Sequence, residues 1–232
     1  MQRTMYATRP AFPATNMLRP ILTTALLAGA AAGVTAGLLH LVFVQDILLS
    51  AETFETGSEQ ATSAVLTVRN ALTIMIMVML YCGYGLILVA LMAFHGQTGD
   101  RIDARRGLLW GVAGFAVVIL APAFSLPAQL PGATETDLAT RQIWWMIFVV
   151  SAALSIWLLA FGKTPGQWAA AVLVLVVPHL LGPQLPDILT GSAPMELAAL
   201  FTARSLGVGL LTWLVLGSVA GAIWRREQAG PA

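Results

Sequence analysis

Six apolar stretches, at roughly residues 20–44, 70–94, 107–126, 143–162, 168–182 and 198–224, leave this chain little choice but to fold as helices inside a bilayer. A spanning helix needs about 20 mainly apolar residues, and only a helix or a closed barrel satisfies its own backbone where there is no water. Composition agrees. The chain is 58% hydrophobic and only 10% charged, with a mean hydropathy of +0.81, so the side chains that would cover a soluble surface are missing. The expected fold is all-α: a polytopic integral membrane protein of about six transmembrane helices, or five if Pro178 cuts the fifth stretch short. Residues 1–18 read as a flexible tail, 19–226 as a single transmembrane domain and 227–232 as a second short tail.

The charges orient these helices. Arg3, Arg9 and Arg19 precede the first stretch, and Arg101, Arg105 and Arg106 lie between the second and third. Lys163 lies between the fourth and fifth, and Arg225 and Arg226 follow the sixth. All nine fall on one side of a six-span arrangement, which the positive-inside rule makes the cytoplasm, with both termini there. The opposite loops hold Asp46, Glu52, Glu55, Glu59, Glu135, Asp137, Asp187 and Glu196, while Arg69, Arg141 and Arg204 sit where the chain re-enters the membrane. Those three arginines read as anchors for nearby acids or lipid phosphate. The net charge of +1 says nothing of partners by itself; the apolar stretches make the bilayer the expected large partner, and no nucleic acid is expected.

The first stretch follows positive residues but continues through LLHLVFV, too long for the apolar region of a signal peptide, and reads as an uncleaved helix. Cys82 is the only cysteine, which excludes a disulfide framework and a thiolate metal site. No P-loop, glycine-rich nucleotide site or His–Glu metalloprotease motif is present, so ATP hydrolysis and enzyme activity are not expected.

Two helix exits share wording: PAFSLPAQLPG at 122–132 and PHLLGPQLPD at 178–187 each carry prolines five residues apart and then Gln-Leu-Pro. The returning helices also open alike, with Thr67 and Arg69, Thr140 and Arg141, Thr202 and Arg204. Either the hairpins repeat in parallel or proline is marking helix ends, as it commonly does. Gly29, Gly33 and Gly37, then Gly107 and Gly111, then Gly217 and Gly221 recur every four residues, a spacing that lets backbones approach closely. Trp110, Trp144, Trp145, Trp168 and Trp224 fall near predicted interfaces, as an aromatic belt does.

His40 shares the face of Gly33 and Gly37 near the outer end of the first helix. His179 follows Pro178 near the outer end of the fifth, and His95 lies at the opposite end of the second. An ionisable group inside a membrane marks a functional site by default, and imidazole is the commonest metal ligand. Pro178 frees a backbone carbonyl about one turn earlier, as helices at transporter ion sites do. Carboxylates with imidazole suit a divalent first-row ion such as cobalt, nickel or zinc, so the candidate ligands are His179, His40, Glu52, Glu55, Asp46 and Asp187. The plainer alternatives are interfacial histidines bonded to carbonyls and loops that are acidic for solubility. Met75 and Met79 share a helical face and read as apolar packing.

Taken together, GLLWGVAGFAVVILAPAFSLPAQLPG at 107–132, RQIWW at 141–145, PHLLGPQLPD at 178–187 and LVFVQDILLSAETFE at 41–55 resemble the CbtA family of predicted bacterial cobalt transporter subunits. The resemblance covers about residues 20–224. It implies a multi-pass protein of the bacterial cytoplasmic membrane that takes up cobalt for corrin-ring cofactor synthesis. The ion is substrate here, and no permanently bound cofactor is expected. The resemblance also implies a small single-span partner, CbtB, with a histidine-rich end, and it sets Glu52, Glu55, Arg141 and His179 in recognisable family segments. Members are often described with five spans, whereas the charges here favour six. A permease for nickel or another divalent ion, or a scaffold subunit that transports nothing, stays open on the residues alone.

Overall fold

The computed structural model describes residues 17–56, 63–96, 102–132, 137–183 and 193–229, and every regular element among them is helical. In order these are α1 (Leu18–Phe43), α2 (Gln45–Thr56), α3 (Ser63–Gly96), α4 (Ala104–Phe115), a π-helical turn (Ala116–Leu120), α5 (Ala121–Ala123), α6 (Leu138–Phe161), α7 (Pro165–Leu181) and α8 (Met195–Ala229). Five helices are long and apolar enough to cross a membrane: Leu18–Phe43, Val65–Gly96, Ala104–Ala123, Leu138–Phe161 and Met195–Gln228. The third joins α4, the π-turn and α5 into 20 continuous residues.

α7 is apolar but shorter, at 17 residues, and is not among these five. Its start follows the end of α6 through a tight turn, where Thr164 and Gln167 form a capping box. Its last turn meets Ser125, just beyond α5, at the opposite end. The helix passes through Pro178 and continues to Leu181, where the sequence led us to expect an earlier stop. Proline removes one N–H but holds a helical φ, so one bond is lost and the turn survives. Because α1 ends beside the start of α8, where Arg204 donates to the Phe43 carbonyl, the described chain begins and ends at the same end of the bundle.

The core is built on backbone proximity. α1 runs antiparallel to α3, and a Cβ on Gly29 would stand 2.5 Å from the Cys82 Cα, one on Gly33 would collide with Val78, and one on Gly37 would press on Ile74. α4 and α8 meet in the same way, with Gly107 against Gly217 and Gly221, and Gly111 against Trp213 and Gly217. Helix α8 also packs on α1, which joins the two pairs. Ala25, Ala28, Ala32, Leu88, Met92, Phe115, Trp213, Leu216 and Trp224 fill the core. Trp224 is thus buried, not part of an interfacial belt. Met75 and Met79 point outward, away from this core. The α6–α7 hairpin joins through the π-turn and α5, and the residues it buries are mostly small: Ser151, Ala152 and Ser155 on α6 and Ala171 on α7.

The stretch 45–69, read from the sequence as an acidic connection, contains α2 and the first turns of α3. Ile47 and Ala51, four residues apart on one face of α2, bury against Leu130, with Leu197 and Phe201 of α8 packed alongside. Helix α2 therefore covers one end of the bundle. At the other end Asp103 caps α4, and the backbone N–H of Arg106 holds its carboxyl below the usual carboxylate range.

The glycine contacts make a direct prediction. Gly107→Ala places a methyl on the backbone of α8 and should cost about 1–3 kcal/mol, seen as a lower thermal midpoint of the purified protein. Gly83→Ala, where a Cβ meets nothing within 4 Å, should leave that midpoint unchanged or raise it. Equal behaviour of the two variants would contradict the packing.

Candidate functional site at the capped end

The end covered by α2 gathers around the non-helical segment after α5. Pro122 has no N–H to offer the Val118 carbonyl four residues back, and Trp145 of α6 supplies the donor, Nε1 to oxygen 3.2 Å. The π-turn at 116–120, which re-spaces the helix bonds just ahead of the proline, leaves that carbonyl accessible. Beyond Pro122 the chain opens, and its carbonyls are claimed one by one. Arg141 donates to Pro127 at 3.3 Å and Thr202 to Ala128 at 3.1 Å. These are the re-entry residues of α6 and α8 whose pattern repeats in the sequence.

His179 enters this segment from α7. Its Nδ1 is 2.8 Å from Ser125 Oγ, its ring stacks on Phe148 with centroids 4.4 Å apart and planes 9° apart, and the Phe124 ring meets it edge-on. Phe148 itself is fully buried. The two proline exits that look alike in sequence are therefore neighbours, and the imidazole is fixed in plane and rotation. When Nδ1–H donates to Ser125, Nε2 carries the lone pair, which is the form in which imidazole binds a metal.

The other candidates stand elsewhere at the same end. His40 is half-buried in the last turn of α1, within range of the Arg69 charge. Arg69, on α3, binds Glu52 of α2, with Nη1 3.0 Å from each carboxylate oxygen. Asp46 is exposed in the first turn of α2. Glu55 follows in α2, but its side chain, like Asp187, lies outside the described residues. Among the described residues no three of His, Cys, Asp or Glu stand close enough to hold a metal ion together. The structure thus brings Glu52, Arg69 and His40 to one locality and His179 with Ser125 to another.

His95, at the opposite end, stacks loosely against Trp110 and Phe161 and ties α3 to α4 and α6. Sequence reasoning passed over Ser125 and Phe148 and read Trp145 only as part of an aromatic belt, not as a donor to Val118. The signal for Trp145 was present, since a proline inside a helix always strands the carbonyl four residues earlier. Nothing local in the sequence pairs Ser125 with His179, 54 residues away.

The family profile described as "Probable cobalt transporter subunit (CbtA)" matches residues 18–225. No curated protein and no solved structure matches the chain at a significant level.

The His179–Ser125 bond can be weighed by a double-mutant cycle. Ser125→Ala and His179→Ala should each lower stability, and the pair should lose about 1 kcal/mol less than the two losses added, the worth of one hydrogen bond. Strict additivity in thermal unfolding would show that the contact does not hold α7 in place.

Proposed function

The chain belongs to the CbtA family of probable cobalt transporter subunits, and from that premise we propose that it is the ion-conducting subunit of a cobalt uptake system in the bacterial cytoplasmic membrane. The cobalt supplied would serve cobalamin synthesis, and the family word "subunit" fits a partner of the small, single-span, histidine-rich kind named CbtB. The capped end faces outward in this reading. Arg19, Arg105, Arg106, Lys163, Arg225 and Arg226 all gather at the other end, which the positive-inside rule assigns to the cytoplasm.

The observation that carries the mechanism is the held imidazole of His179, fixed by Ser125 and Phe148 near the outer end of α7. External carboxylates (Asp46, Glu52, Glu55, Asp187) raise the local cation concentration. His179 and His40 then replace part of the hydration shell of an arriving Co2+ ion. A dication moving inward gains about 4.6 kcal/mol per 100 mV of inside-negative potential, so the driving force needs no nucleotide.

The test is uptake of radiolabelled Co2+ by cells carrying the chain and its partner, compared with Ni2+ and Zn2+. His179→Ala should reduce Co2+ uptake about tenfold or more, the usual size of a lost metal ligand or its support, and adding His40→Ala should reduce it further. Wild-type uptake in the double variant would remove both histidines from the path. Wild-type cells that take up no Co2+ above background would sink transport itself and leave the scaffold reading.

A further inference from the structure

Arg69 does more than neutralise Glu52. A single nitrogen, Nη1, stands 3.0 Å from both carboxylate oxygens, which is the position a cation held by both oxygens at once would occupy. The pair is partly exposed, with side-chain exposures of 33% and 40%, and lies at the end of the bundle covered by α2, where an arriving ion can approach it. It also joins two elements: Glu52 belongs to α2, which covers the bundle end, and Arg69 to the first turns of α3.

We infer that Arg69 is a built-in competitor for the incoming divalent cation at Glu52, an inference that rests on the transport reading above. The ion takes the two-oxygen position and Arg69 leaves it, because Nη1 fills that position and the like charges repel. The displacement also breaks this ion pair between α2 and α3. Arrival of the ion and loosening of the cap are then a single event, and α2 stays tethered by Ile47 and Ala51. Arg69 is a positioning residue in this scheme. It sets the affinity of the mouth without touching the ion.

A competitor and a structural strut respond differently to substitution. Co2+ uptake should be measured in cells with the full chain and its partner, as half-saturation and maximal rate per inserted protein, for wild type, R69Q, R69K, E52Q and the R69Q/E52Q double variant. R69Q should lower the half-saturation concentration about fivefold, the scale of a partly exposed ion pair, while its maximal rate falls. R69K, a weaker and more hydrated competitor, should lie between R69Q and wild type. E52Q should raise the half-saturation, and R69Q should then have no further effect on it. If R69Q and E52Q shift the half-saturation the same way, or R69Q acts equally with and without Glu52, the pair is a strut and the inference falls. Should R69Q fail to insert, R69K decides alone, since an unchanged half-saturation overturns the inference. Absence of saturable uptake in the wild type would instead sink the transport reading itself.

Discussion

Lipid offers a helix no hydrophobic reason to prefer another helix, so this bundle depends on how closely its backbones can approach. The glycines of α1 lie against the backbone of α3, and those of α4 and α8 lie against each other, at separations where any Cβ would collide. Close approach multiplies the small dispersion terms along two long contacts and brings weak Cα–H contacts to carbonyl oxygens within reach. Helix α8 then serves both pairs, packing on α1 as well as α4. Everything at the capped end is placed by this frame. Helix α2 can cover the end only because the exits of α1 and α4–α5 and the start of α8 arrive there together.

A second constraint acts where helices break. Each backbone carbonyl freed inside the apolar layer must find a donor, and the exit at Pro122–Ala128 is a worked case of that accounting. Trp145 takes Val118, Arg141 takes Pro127 and Thr202 takes Ala128, so α6 and α8 are fastened by the same irregular segment they help to satisfy. Arg204 does likewise for the end of α1, where a cation also suits the negative pole of the helix. The three re-entry arginines therefore serve protein more than lipid: two bind carbonyls and one binds a carboxylate.

The membrane class, the five long apolar helices, the glycine faces and the common end shared by both proline exits were legible because each follows from period, length or a single residue's chemistry. The Gly33–Gly37 face of α1 is one example, read from spacing alone and found against Val78 and Ile74. Helix α2 was not legible, since its charged residues mask a two-residue apolar face whose partner, Leu130, lies some 80 positions away. The site shows the same division. Histidines, acids and the end they occupy follow from sequence. Their pairing depends on packing between distant helices, which put Ser125, not a carboxylate, beside His179, and Arg69 beside Glu52.

The depth of His179 follows from the shortness of α7. Its first turn is pinned beside the end of α6, and 14 residues at 1.5 Å each carry His179 about 21 Å along the helix axis. That rise is short of the roughly 30 Å thickness of an apolar layer. An imidazole at that depth needs both a polar partner and a flat apolar neighbour. Ser125, in the turn after α5, and Phe148 of α6 provide one each, and one ring nitrogen stays uncommitted to Ser125. A shorter hydrogen-bond donor anchored at the boundary would fix α7 as well. On the transport reading proposed above, a ring held in place there, at the end opposite the cytoplasmic-type charges, suits receiving an ion better than marking a helix stop.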